Sequence, residues 1–123
     1  MTNDLKALID SYIQAWNETD AQRRETLVSR VWADGGTYLD PLMSGAGQQQ
    51  IAAMIGAAQA QFPEHRFELS FGPDAHNDRV RFAWRLFGPD GDAPVAAGVD
   101  FAELAGDGRL RSVTGFLESP ATA

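Results

Sequence analysis

The spacing of the apolar residues changes once along this chain, and that change restricts the folds it can adopt. Up to Pro63, apolar residues recur every three or four positions, which is the spacing of one face of a helix. From Arg66 onward they alternate with polar residues at every second position, as in strands that are buried on one side. Helices followed by a series of strands predict an α+β domain rather than alternating βαβ units.

Capping and turn residues divide these two halves into elements. Thr19 or Asp20 can cap a second helix, which Gly35-Gly36 would end, and Gly72-Pro73-Asp74 is one of several predicted turns between strands. The predicted helices cover about residues 5–16, 20–34 and 46–61, with a short strand at 37–40; the later strands cover residues 66–71, 79–87, 95–104 and 110–117.

From these elements we expect a single domain over residues 1–123. Three N-terminal helices would pack on a curved antiparallel sheet and cover one of its faces. Such a sheet forms a cone-shaped half-barrel, whose internal pocket has an open mouth and suits a small apolar ligand.

The charge balance and the scarcity of metal-binding side chains argue against several functions. A formal net charge of −7 disfavours nucleic acids, which need clustered Lys and Arg, and it also disfavours anionic membranes. With no Cys and only two His, the chain has no thiolate chemistry and no recognisable metal-ligand spacing. We therefore expect neither a metal nor a cofactor.

The sequence also lacks the usual signs of export or membrane insertion. No apolar run approaches the roughly 20 residues of a membrane span. The first helix is not preceded by the basic start and apolar stretch of a signal peptide. A cytoplasmic location is the resulting expectation.

Asp40 is the first candidate for chemistry, because it ends a short β-prone run just before Pro41. A carboxylate that faces a cavity at this point could remove a proton next to a carbonyl group, or activate a water molecule. The alternative is structural, since Asp often holds a turn through hydrogen bonds to nearby backbone N–H groups. Both interpretations are open from the residues alone.

Tyr12 is the second candidate, since it lies on the apolar stripe of the first helix and its hydroxyl group needs a partner there. The hydroxyl group could donate a hydrogen bond to a developing oxyanion. Alternatively, Tyr12 is a core residue that donates to a backbone carbonyl.

Asp100 is the third candidate, because it interrupts an otherwise uncharged run. Strand alternation places Asp100 with Gly98 on one face, and Val99 and Phe101 on the other. Burial of the larger side chains would send Asp100 to solvent or to an Arg on a neighbouring strand. In the opposite orientation, Asp100 and the small residues would line a cavity, and burial would raise the pKa of Asp100.

The order of these elements, with Tyr12, the Asp40-Pro41 turn and Asp100, resembles the SnoaL-like branch of the nuclear transport factor 2-like superfamily. The resemblance extends over about residues 5–117, and members include ketosteroid isomerases, polyketide cyclases and epoxide hydrolases. In ketosteroid isomerase the first helix carries a Tyr, apolar residues and then Asn-x-x-Asp, which is similar to residues 12–20 here.

The resemblance to ketosteroid isomerase implies a cofactor-independent acid–base enzyme that acts on a small apolar carbonyl compound, by isomerisation or cyclisation. Asp40 would be the base, and Tyr12 and Asp100 would donate hydrogen bonds to the oxyanion. A carboxylic acid kept neutral for this purpose is the known behaviour of ketosteroid isomerase itself.

Several large side chains are candidates for the wall of the pocket, although each could equally belong to the core. Phe82 and Trp84 share a face of their strand, whereas Arg81 and Arg85 share the other. The candidate substrate-binding residues are Trp16, Tyr38, Met54, Phe82, Trp84 and Phe116.

Two alternatives to the isomerase or cyclase function stay open. An epoxide hydrolase-like enzyme would need Arg81 or Arg85 beside Asp100, which strand alternation disfavours. A non-catalytic protein that binds a small apolar ligand is also compatible with the sequence. In each case the exposed convex sheet face, with Val99 and Phe101, predicts a homodimer.

Overall fold

The structure, a computed structural model, has the predicted helix-then-strand order and describes residues 2–118, with side chains from residue 4. The helices are α1 (Thr2–Asn17), α2 (Ala21–Val31) and α3 (Gln48–Gln61). The strands are β1 (Trp32–Leu39), β2 (Ser44–Ala46), β3 (Arg66–His76), β4 (Arg79–Phe87), β5 (Pro94–Leu104) and β6 (Leu110–Glu118). Within this range, none of the helices has the length and apolar character needed to cross a membrane.

The six strands form one curved sheet that does not close, in the order β2-β1-β6-β5-β4-β3. Strands β3 to β6 form an antiparallel meander, as expected for strands joined by short turns. The pairing of β1 with β6 is parallel, so the sheet is mixed rather than wholly antiparallel. This pair is separated by most of the chain, so no tight turn dictates its direction. The predicted α+β class is confirmed.

The region between α2 and α3 differs from the prediction in two places. Helix α2 ends at Val31, and Trp32 begins a strand instead of continuing the helix to Gly35. The guanidinium group of Arg109 donates to the carbonyl oxygens of Ser29 and Trp32, at 2.8 and 3.3 Å, and so satisfies the end of the helix. Residues 44 and 45, predicted as a turn, and residue 46, predicted as the start of the third helix, form β2 on the outer edge of β1.

Strand β3 continues through the turn predicted at Gly72-Pro73-Asp74. Two shifts in the pairing register between Leu69 and Asp74 absorb the irregular residues, so the strand still pairs with β4 beyond them. The chain reverses five residues later than Gly72, at Asn77, where φ is 51°. A glycine–proline pair therefore marks a bulge here and not the end of the strand.

The helices cover the concave face of the sheet, and the core lies between them. Helix α1 is attached to β3 by the side chain of Asn17, which donates to the carbonyl oxygen of Phe67 at 2.9 Å and accepts from its N–H at 2.7 Å. Asp20 caps α2 by accepting from the N–H of Arg23 at 2.9 Å, as predicted. The attachment of α1 places Tyr12 and Trp16 over the sheet.

Candidate active site

A cavity of about 120 Å³ lies between α1, the end of α3 and the concave face of the sheet. Its wall is almost entirely apolar, and Asp40 and Asp100 are the charged residues in it. The lining residues are Tyr12, Ile13, Trp16, Tyr38, Asp40, Leu42, Met43, Ala58, Phe62, Phe67, Trp84, Leu86, Ala96, Asp100 and Leu117.

Asp100 faces this cavity, which decides between the two orientations that strand alternation allows. Asp100 is only 2% exposed, whereas Phe101 on the opposite face of β5 is exposed. Tyr12 Oη donates to Asp100 Oδ2 at 2.6 Å, and Trp84 Nε1 donates to Asp100 Oδ1 at 3.1 Å. Burial of the larger apolar set on β5 would have predicted the reverse, and that alternative is wrong.

The surroundings of Asp100 alter the protonation of the whole cluster. Burial raises the pKa of Asp100 to about 6, although the hydrogen bonds from Tyr12 and Trp84 oppose that rise, and the nearby charge of Asp40 adds to it. Burial, together with the negative charge of Asp100, raises the pKa of the Tyr12 hydroxyl group well above its usual value. Tyr12 is therefore a neutral hydrogen-bond donor at ordinary pH, while Asp100 can exchange a proton near neutrality.

Asp40 lies directly after β1 and also lines the cavity, but its hydrogen bonds are largely those of a turn. Asp40 Oδ1 accepts from the backbone N–H groups of Leu42 and Met43, at 2.8 and 2.9 Å. Tyr38 Oη donates to Asp40 Oδ2 at 2.6 Å. Three of the roughly four lone-pair positions of a carboxylate are thus occupied, and the open one is on Oδ2.

Gly115 on β6 is the residue around which the two acids are arranged. A methyl group built on Gly115 would lie 2.9 Å from Asp100 Oδ1 and 3.2 Å from both Asp40 Cβ and Tyr38 Oη. Asp100, Asp40 and Tyr38 therefore surround one point that is free of side-chain atoms only because residue 115 is glycine. This brings the predicted residues Asp40, Asp100 and Tyr12 to one end of the cavity.

Gly98 has a similar role for Trp84, its partner across β4 and β5. A methyl group on Gly98 would lie 2.4 Å from Trp84 Cζ2, so the indole ring occupies the space beside the backbone of β5 that a side chain would otherwise fill. This position directs Nε1 towards Asp100. The sequence placed Gly98 on the same strand face as Asp100 but did not indicate its contact with Trp84, and it did not indicate a role for Gly115. A glycine in the interior of a strand often marks the close approach of another group.

The predicted wall residues divide into two groups. Trp16, Tyr38 and Trp84 line the cavity. Met54 and Phe82 are buried in the core, outside the cavity wall, and Phe116 is exposed on the convex face. The structure thus places these last three away from the cavity. Ala96 lines the cavity, as expected for the small residues that share the face of Asp100. Residues that sequence reasoning missed are Ile13, Leu42, Met43, Ala58, Phe62, Phe67, Leu86 and Leu117.

The strand arginines lie away from the two acids. Arg81 forms an ion pair with Asp74 at 2.8 Å, and Arg85 is exposed; neither lines the cavity. The arginine required by an epoxide hydrolase-like arrangement is therefore not in place. Within residues 2–118, no three His, Asp or Glu side chains lie close enough together to hold a metal ion.

Comparison with known proteins gives matches at two levels. The SnoaL-like domain family matches residues 9–113. A crystal structure of a protein from Agrobacterium tumefaciens strain C58, provisionally named an isomerase of the SnoaL-like family, is 48% identical. The match covers 95% of this chain and 99% of that chain, with a TM-score of 0.89.

More distant solved structures share the fold. A protein from Jannaschia sp. CCS1, provisionally named a SnoaL-like polyketide cyclase, is 16% identical over 94% of this chain and 88% of its own, with a TM-score of 0.69. A nuclear transport factor 2-like protein of unknown function from an Exiguobacterium species is 18% identical over 91% of this chain and 98% of its own, with a TM-score of 0.72. No curated protein sequence matches. The chain belongs to the SnoaL-like family.

Proposed function

We propose that the protein is a cofactor-independent acid–base enzyme that acts on a small apolar carbonyl compound, as an isomerase or cyclase. The observation that carries this proposal is the meeting of Asp40, Asp100 and Tyr12 at one end of an apolar cavity. The names of the relatives support it, since one is called an isomerase and another a polyketide cyclase.

In this proposal Asp40 removes a proton from the carbon next to the carbonyl group, through the open position on Oδ2. The electron pair of the broken C–H bond forms the C=C bond of an enolate, and the negative charge moves to the carbonyl oxygen. In an isomerase, Asp40 returns the proton to another carbon of the conjugated system. In a cyclase, the enolate carbon instead forms a bond to the carbon of a second carbonyl group, the π bond of that group breaks, and its oxygen takes the proton held by Asp40.

Asp100 and Tyr12 would stabilise the enolate oxygen. When Asp100 is protonated, its own O–H group can donate a hydrogen bond. The hydroxyl group of Tyr12 can then donate to the ligand oxygen instead of to Asp100. Because the pKa of Asp100 is about 6, about a tenth of free enzyme molecules hold this proton at pH 7. The apolar wall keeps competing water away from these donors.

A non-catalytic ligand-binding protein is the second candidate, and one observation favours it. Both oxygens of Asp40 already accept hydrogen bonds within its own turn, as the structural interpretation of this residue predicts. An apolar cavity whose polar groups bind mainly one another could hold a ligand without turnover.

We also propose that the protein is a homodimer formed through the convex face of the sheet. Val95, Phe101 and Phe116 are exposed on this face, which is unusual for so many large apolar side chains on a monomer. Light scattering should give twice the mass of the chain, and Phe116→Glu should return a monomer. A wild-type protein with the mass of one chain would contradict this part of the proposal.

Titration with a phenol that imitates the enolate distinguishes the enzyme from the passive binder. Asp40→Asn removes a negative charge near the phenolate oxygen and should strengthen binding about tenfold or more. Tyr12→Phe removes a donor and should weaken it, and Asp90→Asn, an exposed acid outside the cavity, is the control. Equal affinity for all four proteins would favour the passive binder.

A further inference from the structure

Three large apolar side chains meet at the mouth of the cavity. Leu42 is 73% exposed, Phe62 is 45% exposed and Leu117 is 44% exposed, yet all three also line the cavity. They come from the turn after β1, the end of α3 and the end of β6. Single exposed apolar side chains are common on proteins, but these three surround one opening. We call them the rim.

The cavity itself is small. Its volume of about 120 Å³ is below that of an engineered cavity of roughly 150 Å³ that binds benzene. The space inside the rim therefore accommodates a head group of at most about one six-membered ring. Any larger ligand whose reactive end reaches Asp40 and Asp100 has to continue outwards across Leu42, Phe62 and Leu117.

The charges along this path are also informative. Neither the cavity nor the rim includes a Lys, Arg or His among its lining residues, whereas Asp40 and Asp100 are both present. A ligand carboxylate or phosphate at the inner end would find two negative groups and no counter-ion. At the rim, an apolar group of the ligand would bind favourably, because it would remove the exposed Leu and Phe side chains from water.

We propose that the ligand is an uncharged molecule with a carbonyl-bearing head the size of one ring, held at Asp40 and Asp100, and an apolar extension bound by the rim. This inference rests on the proposed function for the chemistry of the head, and on the rim for the extension. It makes Leu42, Phe62 and Leu117 determinants of ligand length. Fully burying one methylene group changes affinity about fourfold, and half-burial at a rim gives about twofold. Four carbons would give about sixteenfold, which the cost of ordering the chain reduces to roughly tenfold.

Cyclohexanone and 4-butylcyclohexanone are suitable probes, because they share the head and differ only in the extension. Binding can be followed by the shifts of the indole N–H resonances of Trp16 and Trp84, which both line the cavity. The wild-type protein should bind the butyl compound about tenfold more tightly. Leu42→Ser and Phe62→Ser should each reduce that ratio to about threefold or less.

Leu39→Ser is the matched control. Leu39 is 56% exposed and only three residues from Leu42, but it does not line the cavity. The ratio between the two ketones should stay near tenfold in this variant. Because Leu42 is so exposed, its replacement should leave the fold intact, so the result does not depend on the Phe62 variant.

The outcomes separate this inference from the proposed function. The proposal that the rim binds the apolar extension fails if the wild-type protein binds the two ketones equally well. It also fails if Leu42→Ser and Leu39→Ser reduce the ratio of affinities equally. Binding of the butyl compound that depends on the rim, without any binding of cyclohexanone or effect of Asp100→Asn, supports the rim and overturns the assigned head site. If neither ketone binds, both proposals fail.

Discussion

The two acids of the cavity are held in very different ways. Asp100 is buried and takes its hydrogen bonds from Tyr12 on α1 and Trp84 on β4, so three distant parts of the chain meet at one carboxyl group. Asp40 is partly exposed, and its partners lie within three residues of it. The position of Asp100 thus depends on the whole fold, and its burial raises its pKa.

The positions of the two acids therefore depend on different parts of the structure. The local turn fixes Asp40 wherever β1 ends, so its orientation does not require the rest of the sheet. Asp100 keeps its partners only while α1, β4 and β5 are packed together, and its proton affinity reports on that packing. Substitutions at the two acids and their phenols should therefore have unequal effects.

The largest expected inequality is between the two phenols. Tyr12→Phe removes the donor that would serve the enolate oxygen, and should slow exchange of ketone α-protons for deuterium by about 100- to 1000-fold. Tyr38→Phe removes only an orienting partner of Asp40 and should slow it by about tenfold or less. Exchange rates for 4-butylcyclohexanone, followed by NMR, measure both. Equal losses would mean that the two phenols have the same role.

The next effect concerns the space between the acids. Gly115→Ala places a methyl group against Asp100 Oδ1, Asp40 Cβ and Tyr38 Oη, and should destabilise the fold by about 1–2 kcal/mol. Gly106→Ala is the control, since a methyl group there has no atom within 4 Å. Denaturant unfolding gives both values. A Gly115→Ala protein as stable as the control would show that the acids are not held close together.

A third effect is a dependence of stability on pH at Asp100. Because folding raises the pKa of Asp100 from 3.8 to about 6, the folded state binds more protons than the unfolded state between these values. Stability contributed by this residue is therefore highest below pH 4 and is lost as the pH rises to 6. At about 1.4 kcal/mol per pH unit, the ionised form costs about 3 kcal/mol at pH 8.

Asp100→Asn removes that cost, but an amide group has only one oxygen to accept the hydrogen bonds that Tyr12 and Trp84 donate to the carboxyl group. The substitution therefore weakens this hydrogen bonding. The net gain should be about 1–2 kcal/mol at pH 8 and should turn into a loss of about 1 kcal/mol near pH 4, where the wild-type carboxyl group is protonated in the folded state. Asp40→Asn is the comparison variant, because Asp40 is only partly buried and its replacement removes no fully buried charge. Thermal unfolding of both variants across this pH range tests the sign; a loss of stability for Asp100→Asn at pH 8 would contradict the account.

Local patterns predicted most of the fold. The alternation in residues 79–87 matches β4 at both ends, and Asp20 caps α2, because both depend on neighbouring residues alone. Trp32 was placed in a helix because nothing near it in sequence reveals that Arg109 satisfies the carbonyl groups at the end of α2. The parallel pairing of β1 with β6 is likewise a property of the packed sheet.

The candidate site was less predictable for the same reason. Strand alternation gave Asp100 two orientations, and only the curvature of the sheet makes its small-residue face the buried one. Phe116 was assigned to the wall by residue type, but its position on β6 turns it outwards. The close approaches at Gly98 and Gly115 could have been suspected from glycines inside predicted strands, although not which groups approach them.

The most direct test of the central claim is α-proton exchange by the wild-type protein and Asp40→Asn, with 4-butylcyclohexanone in D2O at concentrations where binding is confirmed. We predict exchange well above the buffer rate for the wild type and a loss of about 100- to 10,000-fold in the variant. A bound ketone that exchanges no faster than in buffer, or equally fast with both proteins, would contradict proton transfer by Asp40.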